Sequence, residues 1–495
     1  MKNPIKITAF RITMIMVMAS GFMYCQNVGN AHEQTIEQAR RMSHSGEFKQ
    51  AEDLLSRAME TVPEMEKKAL LWEKERIRRI RQDYDTTEEE IQNSCRNKIR
   101  DFRDEELKKW ESEGKFDIQM IDGKKFFFSS SVSNLAKRYP EIRKRFKSHS
   151  EKDAWGEKVL SMAKKIETEG NKGKSPYVLP LRLGALHTIT PKEGKVNPGE
   201  MIKVWAPFPR RTPYQKDITI KKAEPEPASI DIPESNIRSV YFETAAEKTT
   251  TPTFSLEYEF TGYGIYSKID AGKVQPYGDD PIFGRFTRRE PPNILFTPEL
   301  RELAKTIVGD ESNPYLKGKK IYNWICDNIV YSYAREYSTL LNIPMYVYEK
   351  RYGDCGQLGL LFITLCRCSG VPAAWRSGWE CIGGERWGMH DWAAIYIKPY
   401  GWIPVDPYMG VWAIHESTLP ETDRMFLRDF YYGNLDPWRL EANARNNARL
   451  RPQKADFRSE TVDFQRGEIE SGDRNLYFGE FRWRMRLTKI ETIHP

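Results

Sequence analysis

Tyr352-Gly353-Asp354-Cys355-Gly356-Gln357-Leu358-Gly359-Leu360-Leu361-Phe362 places a cysteine where a polar loop turns into an apolar helix. Ser369-Gly370-Val371-Pro372 should end that helix, with Gly370 as its C-terminal cap and Pro372 unable to continue it. Apolar residues cover nearly every face in between, which predicts a helix buried at the centre of a domain. Cys355 then stands at the helix N-terminus. The thiolate is the nucleophilic form, and the free N–H groups and partial positive charge of a helix start favour it. The same N–H groups are available to an oxyanion formed on a carbonyl. Cys366 and Cys368 lie near the other end, where the dipole favours the thiol. A cysteine in an apolar stretch is by itself as readily a packing residue, so the assignment needs partners.

Two later runs supply them. His390 opens His390-Asp391-Trp392-Ala393-Ala394-Ile395-Tyr396-Ile397, and Trp402-Ile403-Pro404-Val405-Asp406-Pro407 follows the turn-like Lys398-Pro399-Tyr400-Gly401. The runs read as an antiparallel pair. With Tyr396 opposite Trp402, Trp392 faces Asp406 and His390 is its diagonal neighbour on the same face. A carboxylate there bonds one imidazole nitrogen and leaves the other for Cys355, the arrangement of a general base and its orienter. Alternation should point Asp391 to the other face.

These residues resemble the transglutaminase-like branch of the papain-like thiol enzymes. The resemblance covers roughly residues 295–412 and rests on Gly353-Asp354-Cys355, the Leu-rich helix with Gly370-Val371-Pro372-Ala373-Ala374, the His390-Asp391-Trp392 box and Trp402-Ile403-Pro404-Val405-Asp406-Pro407. It implies an α+β domain with a central helix on an antiparallel sheet. It also implies a catalytic triad of Cys355 as nucleophile, His390 as general base and then acid, and Asp406 as orienter. The implied chemistry is acyl transfer or hydrolysis at amide bonds of a protein or peptide, through a thioester: peptidase or deamidase-like when water resolves it, a cross-linking transglutaminase when lysine does. No cofactor is implied. Two departures stand out. Asp391 follows the histidine where the family more often has a small apolar residue, and the family's upstream aromatic oxyanion donor has no fixed match. Tyr331 and Tyr333 lie in the corresponding region, where core packing is the more ordinary role.

Upstream, Met201 to Trp205, Ile237 to Phe242 and Thr253 to Phe260 are rich in β-branched and aromatic residues and punctuated by prolines, which predicts an all-β sandwich over 176–270. Exported bacterial members of the family often carry such a strand-rich domain before the thiol domain. The thiol domain should occupy 285–495, with Leu476 to Phe478 and Phe481 to Leu487 as strands that complete it. Residues 26–172 read as a helical region with one β-hairpin at Asp122-Gly123. Gly46 to Ala51 resembles one tetratricopeptide unit, but no second copy follows, and an array needs about three repeats. This region remains available to bind a partner protein. Its basic cluster of Lys137, Arg138, Arg143, Lys144, Arg145 and Lys147 reads as a solvated helix face.

Residues 1–25 have the charged start and short apolar run of a secretory signal peptide. Cleavage is expected after Cys25, and lipoprotein anchoring at Cys25 is the lesser alternative, so the chain should be exported to the periplasm or cell surface. With 495 residues, 39% hydrophobic and 30% charged, the chain should form three packed units. A formal charge of +7, from 77 basic against 70 acidic residues, is too small an imbalance to mark a nucleic-acid surface. No later stretch suggests a membrane span. Cys366-Arg367-Cys368 and Cys381 lack the paired spacing of a zinc site, so no metal is expected. The rival to an enzyme is a non-catalytic envelope scaffold that uses the thiol domain for binding.

Overall fold

The computed structural model describes residues 31–173, 175–247 and 252–493. The expected signal peptide, with Cys25, lies outside them. The chain is a mixed α/β, multidomain arrangement of helices and several antiparallel sheets. It divides into two compact units, Met1–Cys95 with Arg103–Ser131, and Arg96–Phe102 with Val132–Pro495.

In the first unit, the helices Ala31–His44, Phe48–Thr61 and Glu64–Asp83 bury Ala39, Phe48, Ala51, Leu55, Leu70 and Ile77 in one core. The hairpin Ile118–Ile121 with Lys124–Phe127 turns at Asp122 and Gly123, both at positive φ, which is why Asp-Gly suits it. Gly46, at φ +93°, lies where any side chain would strike Met120, and its carbonyl accepts from the Asp122 N–H at 2.7 Å. Of residues 26–172, expected as a helical region with one β-hairpin, the helix Ala154–Lys172 falls in the second unit.

In the second unit, two five-stranded sheets face each other across one core, with Leu183, Phe254, Leu256, Tyr258 and Phe260 from one and Ile202, Val204, Val240, Phe242 and Ile469 from the other. The C-terminal strands depart from expectation. Phe481–Thr492 pairs with Tyr177–Pro191 and Glu468–Ser471 pairs with Met201–Pro207, so they complete these sheets and not the sheet of the thiol domain. The long register from Phe481 opposite Pro191 to Thr492 opposite Leu181 satisfies backbone groups that proximity along the chain could not.

The remaining sheet has the order Gly401–Val405, Arg386–Ile397, Ala373–Ile382, Arg439–Asn443, all antiparallel. Tyr396 pairs with Trp402. The helix Cys355–Cys368 packs on it, buried continuously from Gly356 to Arg367. It shares a core with Ala373, Trp375, Ala393 and Ile395. Gly370, at φ +74°, ends it, and the Val371 N–H returns to the Cys366 carbonyl at 2.9 Å.

The basic cluster is more than a solvated face. Arg138 donates to Ser332 Oγ at 2.9 Å and stacks over Tyr352, Lys137 pairs with Glu416 at 2.6 Å, and Arg143 donates to the His415 carbonyl at 2.8 Å. These contacts brace the segments on either side of the Cys355 helix start. Among the described residues no helix is long and apolar enough to cross a membrane, and no group of metal-ligating side chains converges.

Candidate active site

Asp354 starts the cysteine helix. Its carboxylate accepts from the Gln357 N–H at 3.0 Å and from the Tyr337 hydroxyl at 2.6 Å, and its carbonyl accepts from Leu358 N–H. One N–H group expected to be free for an oxyanion, that of Gln357, is thus already spent on the cap, while the Leu358 N–H makes the first bond of the helix itself. Cys355 is the first helical residue and only partly buried, as is Cys368, whereas Cys95, Cys326, Cys366 and Cys381 are buried; all six are free thiols. Gly356 follows because a β-carbon there would lie 2.6 Å from Asp391 Oδ2 and against Tyr337.

His390 is 3% exposed, and its Nε2 lies 2.7 Å from Asp406 Oδ2. The tautomer that serves this contact leaves Nδ1 as the open nitrogen. Asp406 is fully buried and caps the helix Pro407–His415, accepting from the Met409 N–H at 3.1 Å. Sequence reasoning missed its third partner. Arg439 reaches Asp406 Oδ2 at 2.9 Å from the last strand of the sheet and is itself held by Asp436 at 2.7 Å. Burial opposes ionisation of Asp406, but the charges of His390 and Arg439 and the hydrogen bonds from His390 and Met409 outweigh it and hold the carboxyl below the usual carboxylate range. Burial likewise opposes the imidazolium, and Arg439 adds to that; the Asp406 charge and hydrogen bond outweigh both and raise His390 above its ordinary value.

Asp391 does face away from His390, as alternation required, but that face carries the cysteine helix. Its Oδ2 lies 3.8 Å from Cys355 Sγ. Its Oδ1 accepts from Gln465 Nε2 at 2.9 Å, and the same amide nitrogen donates to the His390 carbonyl at 3.2 Å. The Cys355 thiol is pushed well up, first by burial and then by the Asp391 and Asp354 charges. This reverses the lowering expected from the helix start, because lost solvation and two carboxylates outweigh the helix dipole. Among the described residues no direct hydrogen bond joins Cys355 to His390. The structure therefore brings His390 to Asp406 and Cys355 to Asp391, one residue apart on the same strand.

Tyr331 packs its ring on Tyr408 at 4.8 Å and on Tyr333 at 5.7 Å, and Tyr408 in turn packs on His390 at 5.5 Å. Tyr333 is 44% exposed. Tyr331 thus belongs to an aromatic cluster that reaches His390 through Tyr408, while Tyr333 turns outward.

Residues 301–407 match the family model described as the transglutaminase-like superfamily, a segment that contains Cys355, His390 and Asp406. An uncharacterised protein of Haemophilus influenzae is 22% identical over 191 residues, which is 33% of this chain and 50% of that protein. The chain thus spans about half the length of that curated relative. Among solved structures, a candidate cysteine protease from Cytophaga hutchinsonii aligns with TM-score 0.40 and 17% identity over 64% of this chain and 92% of its own. The periplasmic domain of TgpA from Pseudomonas aeruginosa aligns with TM-score 0.26 and 13% identity, over 55% and 96%.

Proposed function

We propose, from the premise that residues 301–407 are a transglutaminase-like core domain, that this protein is a thiol-dependent enzyme acting on amide bonds of a protein or peptide. The observation that carries the reading is the buried His390–Asp406 pair, 2.7 Å apart and backed by Arg439, on the strand whose next residue touches Cys355 Sγ. Asp406, kept ionised, orients the imidazole through Nε2. Nδ1 takes the thiol proton, and the sulfur attacks the amide carbonyl. His390 then returns the proton to the departing amine, leaving a thioester on Cys355. Water, deprotonated by His390, releases the acid; a lysine amine instead forms a cross-link.

Hydrolysis is the favoured outcome on the strength of the family resemblance, so a peptidase or deamidase is the reading and a transglutaminase its alternative. We further read the two facing sheets as a β-sandwich that orients the thiol domain, the N-terminal helices as a partner-binding region, and residues 1–25 as an export signal that delivers the chain to the periplasm or cell surface. Brief alkylation with iodoacetamide followed by mass spectrometry tests the enzyme reading. Cys355 should label faster than Cys95, Cys326, Cys366 and Cys381 by at least about ten-fold, and Cys355→Ala should abolish amidase activity. Uniform slow labelling, or activity retained in Cys355→Ala, would leave the non-catalytic scaffold.

A further inference from the structure

Asp391 lies on the nucleophile, and the triad has no use for it. Its Oδ2 is 3.8 Å from Cys355 Sγ, and the missing side chain of Gly356 makes the approach possible. It is 2% exposed, on the face of the sheet that the cysteine helix covers. A buried carboxylate is ordinarily matched by a cation, and the one nearest in sequence to its brace is spent elsewhere. Arg466 forks onto Glu336 with two bonds of 2.7 Å and donates to Glu460 at 2.9 Å. Asp391 is left with neutral partners, the amide of Gln465 and the hydroxyl of Ser377.

The charged and titratable groups around it work mostly in one direction. Burial comes first in raising it, to about 7; the Asp354 carboxylate of the cysteine helix and the Glu460 carboxylate of the C-terminal segment add to that, while the Ser377 hydroxyl across the sheet and the His390 charge oppose it. Asp463, from the same C-terminal segment, is itself pushed well up, by burial and then by Glu460 and Asp391. Tyr337 is held neutral by burial and by the Asp354 and Asp391 charges. A carboxyl group in such company is an acid, able to donate O–H to sulfur; ionised, it places a negative charge against a sulfur that must itself become negative.

We propose that Asp391 is a further catalytic residue that gates the nucleophile: Cys355 acts as a thiolate only while Asp391 carries its proton, so the site is open in mildly acidic to neutral medium and closed in alkaline medium. On activation the thiol proton passes to His390, the bonding pair stays on sulfur, and Asp391 keeps its own proton and donates it as a hydrogen bond to the thiolate. Loss of the Asp391 proton removes that donor and adds a like charge. The proposal rests on the reading of Cys355 as nucleophile, and its test separates the two.

The experiment follows the iodoacetamide rate at Cys355 by mass spectrometry in the full chain from pH 5 to pH 9, in wild type and Asp391→Asn, with far-UV circular dichroism as the check on folding. Asparagine keeps an acceptor for Gln465 and never ionises. The two rates should agree within about three-fold at pH 5.5. By pH 8.5 the wild type should fall behind Asp391→Asn by about ten-fold or more, the effect of one like charge in contact. A rate ratio that stays constant across the range overturns the gate while leaving Cys355 a nucleophile. Labelling of Cys355 no faster than the buried cysteines, at every pH and in both proteins, overturns the enzyme reading and the gate with it. If Asp391→Asn does not fold, Asp391→Ala replaces it with the same expected divergence.

Discussion

Asp406 and Asp391 flank His390 on opposite faces of one strand pair. Both are buried, yet the two faces resolve the same cost in opposite ways. Behind Asp406 stands Arg439, anchored by Asp436, and beside it the imidazole, so the carboxyl stays ionised. Behind Asp391 stands an amide, with further carboxylates around it, and the group holds its proton to about pH 7. Burial sets the size of the desolvation penalty, and the charge of the partner decides whether the protein meets it or avoids it by protonation. The contrast can be attacked from either side.

The largest effect is expected on the ionised side. Asp406→Asn keeps the shape but removes the charge that holds His390 in its working tautomer and steadies the imidazolium. Amide hydrolysis should drop by about 10⁴ in kcat, the loss found when such an orienter is neutralised. The pH at which His390 titrates, followed by NMR, should fall in the same variant, because the Asp406 charge is what raises it against burial. Wild-type kcat in Asp406→Asn would show that the pair is structural only.

Next comes the cation. Arg439→Met leaves Asp436 buried without its cation and Asp406 with His390 alone, and a buried pair that loses one member costs about 3–5 kcal/mol. Urea unfolding of the second unit should show a loss of that size, larger at pH 8 than at pH 4, where Asp406, without the Arg439 charge that lowers it, protonates more readily. A loss that is the same at both pH values would mean that Arg439 contributes packing and not charge.

Arg439 also marks what the sequence does and does not disclose. Cys355 and Asp406 are legible because each sits at a local event, a helix start and a strand end, and His390, inside the strand Arg386–Ile397, because a two-residue period carries it and Asp406 to one face. Arg439 and Gln465 are not legible. They reach the site from 33 and 74 positions beyond the residues they touch, through strand pairing and a loop that no local pattern announces. The same non-locality sent Phe481–Thr492 to the sheet of Tyr177–Pro191. Asp391 shows a subtler failure. Alternation points it away from His390, but the face it reaches is the one the cysteine helix covers, and the direction of the Cys355 shift changes with it.

A smaller effect is expected from the protonated face, seen as stability against pH. The folded-state value of Asp391 lies above its unfolded one, so between about pH 4 and pH 7 the folded chain holds a proton that the unfolded chain has released. Stability must then fall as pH rises through that window, with the loss complete above it. Asp391→Asn should abolish this part of the slope. The variant should be more stable than wild type at pH 8, relative to pH 4, by at most about 4 kcal/mol. Parallel stability curves for the two proteins would mean that Asp391 is ionised throughout and that the two faces do not differ.

The smallest change comes from the brace. Gln465→Leu removes the donor to Asp391 Oδ1 and the bond to the His390 carbonyl, and should cost about 1 kcal/mol, the net worth of an ordinary buried hydrogen bond. Its more telling consequence is a direction. A hydrogen bond from Gln465 favours the ionised carboxylate, so its loss should carry the Asp391 titration upward and keep Cys355 reactive to higher pH than in wild type. Asp391→Asn should show no further change when Gln465→Leu is added, since an asparagine has no titration to move. If the double variant still shifts the alkaline limb, Gln465 acts on His390 through its carbonyl, and the gate belongs to the imidazole instead of the carboxyl.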